Sequence, residues 1–181
     1  MQTQTIKTEL LINGQKVIIG HQFLGEITRS IPDIQENASV FDMLALSDDY
    51  EVREFISRND NLSKKSIHIL LNDENPDIVD NILSNHNLSK HIKEDVLFSI
   101  IKTGNIRFLA TIASNLDDYD QCDLCKIAKK LASHKSATVR YGLVWSRPSE
   151  IISTKTLVKL SKDSDIDVSK GAYEEIARRN R

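Results

Sequence analysis

The two cysteines of this 181-residue chain, Cys122 and Cys125, form a Cys-x-x-Cys pair, which is a spacing used by metal and redox sites. A structural zinc site requires four ligands, and His134 is the one histidine near the pair in sequence. A thioredoxin-like site requires a β-α-β context, which is not evident here. We therefore expect no metal and no cofactor, with Cys125 packed in a helix and Cys122 near its start. A helix N-terminus would lower the pKa of the Cys122 thiol, which leaves a redox role open.

A second candidate metal motif is acidic. Asp163, Asp165 and Asp167 have the Asp-x-Asp-x-Asp spacing of a calcium loop. Val168 stands where that loop has its glycine, and the following residues have a helical pattern, which argues against calcium. The chain has no phosphate loop, no Gly-x-Ser-x-Gly and no His-Glu-x-x-His motif. The sequence therefore predicts a protein that is not an enzyme.

Positive charge is concentrated in the second half of the chain. Residues 1–100 carry 9 basic and 16 acidic side chains, whereas residues 101–181 carry 15 and 10. The window 124–162 holds nine basic residues and one acid, together with Tyr141 and Trp145, the only tryptophan. Basic residues interleaved with aromatics fit a phosphate-bearing or acidic partner, although lysine stems that cover a solvated face would give the same pattern. The candidate binding residues are Lys126, Lys130, Arg140, Tyr141, Trp145 and Arg147.

Helical spacing predicts how these charges are arranged. Lys126 and Lys130 are one turn apart, and Arg140 and Arg147 are seven residues apart on the next helix, so each pair shares a face. We expect all four on one continuous exposed surface. Arg140 also aligns with Arg53 and Arg107, and this row predicts either a ladder of Arg–acid pairs or a basic row that faces a ligand. Arg140 has no acidic residue close to it in sequence, which favours the ligand at that position.

The elements that carry these residues repeat. Asn61-Leu62-Ser63-Lys64 returns 26 residues later as Asn87-Leu88-Ser89-Lys90. Self-similarity at a period of roughly 20–50 residues is typical of stacked repeats. Aligned second helices place an apolar residue at Val52, Ile78, Ile106, Val139 and Val168. The predicted core residues are Val52, Ile56, Ile78, Ile82 and Leu109.

Polar residues mark the expected helix starts. Ser63 caps one helix, Asn75-Pro76 places a cap before a first-turn proline, and Ser89 is expected to open a longer helix that ends at Gly104. Further candidate caps are Asn105, Asp120, Ser136, Ser153 and Asp165. The predicted helices are short, so their stability must come from burial against neighbouring helices.

The first 30 residues differ from the rest. Two β-prone runs, 5–12 and 15–19, flank Asn13-Gly14, the strongest short-range hairpin signal. An isolated hairpin is marginal, so we expect this one to cap the apolar end of the first helices. The alternative is an edge strand that pairs with a partner.

Over residues 40–180 the pattern Leu-x-x-Asp … Val-Arg, followed by a short helix and Asn-x-Asn-Leu, resembles HEAT-type repeats of the leucine-rich repeat variant. The resemblance implies an all-α, right-handed α-solenoid (a HEAT-like superhelix) of about five helical pairs over residues 31–181, with an N-terminal β-hairpin and cap over 1–30. The founding variant binds an iron–sulfur cluster through N-terminal cysteines, which this chain lacks.

Repeat solenoids are mostly binding surfaces. We therefore expect a non-enzymatic protein-binding module, an adaptor or inhibitor of bacterial or phage type. The alternative is nucleic-acid binding through the basic surface of 124–162. HEAT-like folds include DNA glycosylases, but no acid–aromatic–arginine set here matches them. The absence of a signal peptide and of a long apolar run predicts a cytoplasmic protein without a membrane partner.

Overall fold

The computed structural model describes residues 8–20, 23–120, 122–145 and 151–181. These residues are mostly helical, which confirms the all-α class. The chain divides into two compact units, Met1–Leu88 and Ser89–Arg181. Within the described ranges, no helix combines the length and the apolar composition needed to cross a bilayer.

The first unit begins with strands β1 (Thr8–Ile12) and β2 (Gln15–Ile19) and continues with short helices. These are α1 (Leu24–Ser30), α2 (Ala38–Leu44), α3 (Tyr50–Ile56), α4 (Lys64–Leu70) and α5 (Pro76–Ser84), with a 3-10 turn at Gln35–Asn37 before α2. Helix α3 packs against α1, α2 and α5, and α4 packs against α2 and α5. The short helix α6 (His86–Ser89) spans the boundary between the units in sequence.

The hairpin turn forms where the sequence places it. β1 and β2 are antiparallel, with Ile12 opposite Gln15. Asn13 has φ of 49° and Gly14 has φ of 78°, and a turn with two positive φ angles matches the right-handed twist of paired strands. Ile12 and Ile18 of this hairpin are 55% and 66% exposed, so these two side chains face solvent. That the hairpin caps the first helices stays a prediction.

The second unit has longer helices. They are α7 (Glu94–Thr103), α8 (Ile106–Ser114), α9 (Leu124–Leu131), α10 (Ala137–Trp145), α11 (Thr154–Leu160) and α12 (Ile166–Arg179), with a 3-10 turn at Leu116–Asp118. Helix α10 packs against α8 on one side and α12 on the other, α9 contacts α8 and α10, and α11 packs against α12. This arrangement puts α8, α10 and α12 in a row.

The predicted core is confirmed. All five residues named from the repeat alignment are at most 1% exposed: Val52, Ile56, Ile78, Ile82 and Leu109. The alignment was wrong at one position, because Ile106 is 45% exposed. Asn105 caps α8, so Ile106 is the first residue of the helix and points outward, while Leu109, one turn later, occupies the buried position.

Most predicted helix boundaries are confirmed. The Ser63 hydroxyl accepts the N–H groups of two first-turn residues of α4, the Asn75 side chain caps α5 ahead of Pro76, and Gly104 ends α7 in the left-handed conformation. The candidate caps Asn105, Ser153 and Asp165 also accept backbone N–H groups, whereas Asp123, not Asp120, caps α9.

Ser89 does not open the helix that ends at Gly104. It is fully buried as the last residue of α6, and α7 begins at Glu94 after Lys93, whose side chain makes no cap hydrogen bond. Its counterpart Ser63 is the N-cap of α4. The two copies of the repeated run therefore adopt different local structures.

Candidate functional site

Arg140 is held in a two-pronged ion pair with Asp163. Its Nε donates to Asp163 Oδ2 and its Nη2 donates to Oδ1, each at 2.7 Å. Its Nη1 donates to the carbonyl oxygens of His134 and Lys135 at 2.8 and 3.0 Å. Both side chains of the pair are about nine-tenths buried, at 12% and 10% exposed. The hydrogen bonds between the two side chains are the main cause of both pKa shifts: they lower the pKa of Asp163 and raise the pKa of Arg140.

The first unit contains the same kind of ion pair, between Arg53 and Asp73. Nε of Arg53 donates to Asp73 at 2.7 Å, and its Nη1 donates to the carbonyl oxygens of Ser47 and Asp48 at 2.8 and 3.2 Å. The Asp73 carboxylate also accepts the N–H of Asn75, the cap of α5, at 2.9 Å. In the second unit, the Asp163 carboxylate accepts the N–H of Asp165, the cap of α12. In each pair, the arginine thus holds the backbone carbonyl oxygens that precede its own helix, and the aspartate holds the start of a later helix.

The interpretation of Arg140 as a free ligand-binding cation was wrong, because the acid that neutralises it lies 23 residues away in sequence. A signal for this partner was present: Asp73-Glu74-Asn75 and Asp163-Ser164-Asp165 share an Asp-x-Asn/Asp pattern directly before a helix. Arg107 does not hold the equivalent position. It lies in the first turn of α8, two residues before the buried Leu109, whereas Arg140 directly follows the buried Val139.

The remaining predicted cations are only partly brought together. Lys126 Nζ lies 3.3 Å from Glu94 Oε1 and 4.7 Å from the centre of the Phe98 ring, so its charge is already engaged by α7. Lys130, on the same helix, is exposed. Arg147 lies outside the described residues. The expected surface of four free cations is therefore not what the described part of the chain presents.

The two predicted aromatic residues do meet. The rings of Tyr141 and Trp145 are 5.7 Å apart, centre to centre, one turn apart on α10. Trp145 is 67% exposed, and Tyr141 is half-buried. Both line an open cleft of about 730 Å³ between α10 and α12, and the opposite wall carries Lys170, Glu174 and Arg178. The cleft is completed by Val144, Asp167, Gly171, Glu175, Ala177 and Arg181.

Two glycines set how closely the helices beside this cleft approach. A Cβ at Gly171 of α12 would stand 2.8 Å from a methyl carbon of Val144 on α10. A Cβ at Gly142 would stand 2.9 Å from the Cβ of Ala113 and 3.0 Å from the carbonyl oxygen of Ala110, both on α8. Such distances are below van der Waals contact, so only glycine permits this packing.

The sequence analysis did not name the charged wall of the cleft, although Lys170, Glu174 and Arg178 follow four-residue spacing along α12. The floor holds Glu175, whose side chain is 2% exposed and accepts hydrogen bonds from Arg178 and Arg179 at 2.7 Å. The Arg178 hydrogen bond is the main cause that lowers the pKa of Glu175. Glu175 therefore stays ionised at neutral pH and holds two arginines of its own helix, of which Arg179 also donates to the carbonyl oxygen of Ile152 at 2.7 Å.

The cysteines lie in α9 and just before it. Cys125 is exposed within the helix, and Cys122, half-buried, precedes the cap Asp123. Burial, together with Glu94 and Asp95, raises the pKa of the Cys122 thiol to about 11, so the expected lowering by the helix N-terminus was wrong. A thiol with this pKa is almost entirely protonated at neutral pH and is a poor nucleophile.

The three aspartates of the calcium-like motif have structural tasks. Asp163 pairs with Arg140, Asp165 caps α12, and Asp167 lies in the first turn of that helix. No group of three or more His, Cys, Asp or Glu side chains suited to a metal ion is found in the described ranges.

Comparison of the whole chain with protein-family models, with curated proteins and with solved structures finds no match.

Proposed function

We propose that the chain is a non-enzymatic protein-binding module built on a HEAT-like α-solenoid, and that the cleft between α10 and α12 is its docking site. The observation that carries the proposal is the exposed Trp145, which lies against Tyr141 at the mouth of this cleft. Tryptophan, tyrosine and arginine are the residues most enriched among interface hot spots. An adaptor or inhibitor of bacterial or phage type fits this role.

The recurrence of the Arg–Asp device supports the solenoid part of the proposal. In each unit, a buried guanidinium on one helix is paired with the carboxylate that precedes a helix about one repeat later. Such a link specifies the spacing between neighbouring repeats, which is the interaction that stacked repeats require. The row α8, α10 and α12, closely packed through Gly142 and Gly171, supports stacking in the same way.

The charge of the cleft indicates what kind of partner fits. Its wall alternates Lys170, Glu174 and Arg178 along one helix, with Asp167 and Arg181 at its ends. With Glu175, the described lining carries three carboxylates and three cations, so a polyanion would meet as many of one as of the other. A protein segment with an apolar anchor for the aromatic pair and charges of both signs at its edges would find complementary groups.

Site-specific photo-crosslinking in the native cell tests this proposal. A photo-reactive amino acid placed at Lys170, inside the cleft, should capture a distinct protein, and Trp145→Ala should abolish that product. Trp145 is largely exposed, so the substitution should cost at most about 1 kcal/mol of stability, which is the size of one aromatic pair. The matched control carries the photo-reactive residue at the exposed Lys102 of α7.

Identical products from both positions, or a Lys170 product that persists in Trp145→Ala, would contradict docking in the cleft. Since Trp145 is the only tryptophan, its fluorescence provides a second readout without a label. Emission of the free protein should resemble tryptophan in water, and addition of the captured partner should shift it to shorter wavelength. An unchanged spectrum at saturation would place the partner elsewhere.

A further inference from the structure

A second groove, distinct from the cleft of the proposed function, lies between α9 and α11. It has a volume of about 520 Å³, and the described residues that line it are three lysines, three hydroxyl side chains and one alanine. The lysines come from both helices. The lining residues are Lys129, Ala132, Ser133, Ser153, Lys155, Thr156 and Lys159.

The lysines of this groove are not neutralised by carboxylates in the described part of the chain. Lys159 Nζ donates to the hydroxyl of Ser133 at 2.9 Å, so a neutral oxygen holds it across the groove. Lys129 and Lys155 form no ion pair with another described residue, and both are exposed. The nearby carboxylate of Asp163, whose pKa the Lys159 charge helps to lower, is already paired with Arg140. Among the residues that the structure describes, the groove therefore carries positive charge that no carboxylate pairs with.

The lining also indicates which anion fits. Lysine ammonium groups and Ser or Thr hydroxyls are the side chains that contact phosphate oxygens in nucleic-acid complexes. Among the described residues of the lining, Ala132 is the one apolar residue, and none is an aromatic ring for base stacking or an arginine fork for base edges.

We propose that the groove between α9 and α11 binds the phosphate backbone of a nucleic acid through Lys129, Lys155 and Lys159, without reading base sequence. This site uses lysines of the basic window other than the predicted Lys126 and Lys130. It does not rest on the protein-binding cleft, which lies between different helices.

Fluorescence anisotropy with labelled 20-nucleotide single strands of two unrelated sequences tests the site. Each phosphate contact on a single strand contributes about −0.7 to the slope of log K against log salt. Three contacts give a slope of about −2, so raising salt from 50 to 200 mM should weaken binding about 20-fold. Both sequences should bind alike. Neutralising all three lysines (K129Q/K155Q/K159Q) should remove binding, and each single change should reduce the slope by about 0.7.

The matched control, K64Q/K65Q/K102Q, removes the same charge from exposed lysines outside the groove. Circular dichroism checks that both triple variants remain folded. No binding by wild type at 50 mM salt, or equal losses in the two triple variants, would overturn the proposal. A competition arm with polyglutamate of similar charge separates the anions: equal competition by carboxylates would assign the groove to acidic peptides and overturn the nucleic-acid assignment.

Discussion

Asp163→Asn is the most direct test of the Arg140–Asp163 pair. The amide keeps an oxygen that can accept the Asp165 N–H, 3.0 Å away in the native chain, but it removes the charge and places a donor against Arg140. Breaking a buried pair costs about 3–5 kcal/mol, whereas exposed pairs contribute about 0–1. Because the Asp163 side chain is 10% exposed and its capping bond is retained, we expect a loss of about 2–4 kcal/mol.

Urea unfolding at pH 7 measures this loss, and Glu54→Gln is the control. Glu54 pairs with Arg58, whose side chain is 60% exposed, so that change should cost under about 1 kcal/mol. The pKa of Asp163 is lowered in the folded state, so its contribution is full above the unfolded pKa of about 4 and is lost as pH falls through the folded pKa. The wild-type advantage over Asp163→Asn should thus shrink below pH 4. A loss under about 1 kcal/mol, or an advantage that does not change down to pH 2, would refute the assigned role.

Three further predictions follow from burial and close packing. Gly142→Ala should destabilise the protein by about 1–3 kcal/mol in urea unfolding, because the added Cβ would overpack against α8. Gly25→Ala is the control, since its added Cβ would meet its nearest atom at 3.9 Å. That change should be neutral or stabilising by up to about 1 kcal/mol. Ile82→Ala should cost about 2–5 kcal/mol, and a cost under 0.5 would mean that its burial is misassigned. In timed alkylation with iodoacetamide at pH 8, followed by mass spectrometry, Cys125 should react well before Cys122, whose pKa of about 11 leaves little thiolate; equal rates would contradict its raised pKa.

The sequence predicted local features well because each depends on a few adjacent residues. Asn13-Gly14 forms the turn because both positions require positive φ, and Gly104 ends α7 for the same reason. Asn75 caps α5 because its side chain reaches the N–H of a first-turn residue. The core positions of α3 and α5 were correct because helical spacing fixes the buried face once the cap is placed.

Predictions that depended on distant residues or on exact alignment were less accurate. The neighbours of Arg140 in sequence do not reveal its acidic partner, because Asp163 lies 23 residues later, just before another helix. Ser89 repeats the sequence context of Ser63, yet it is buried within α6. A four-residue match does not determine whether a serine caps a helix, because the residues that follow it decide where the helix begins.

The number of basic residues in a stretch of sequence did not predict where positive charge is exposed on the folded protein, because folding pairs some of these residues with distant acids. A window of nine basic residues spans several short helices, and each helix turns its cations in different directions. Arg140 is used inside the fold and Lys126 is drawn to Glu94, so neither contributes a free charge. Lys159, in contrast, is held by a hydroxyl, that of Ser133, and forms no ion pair with a described carboxylate. A binding surface is therefore better sought among basic residues left without acids after folding than among basic residues that are close in sequence.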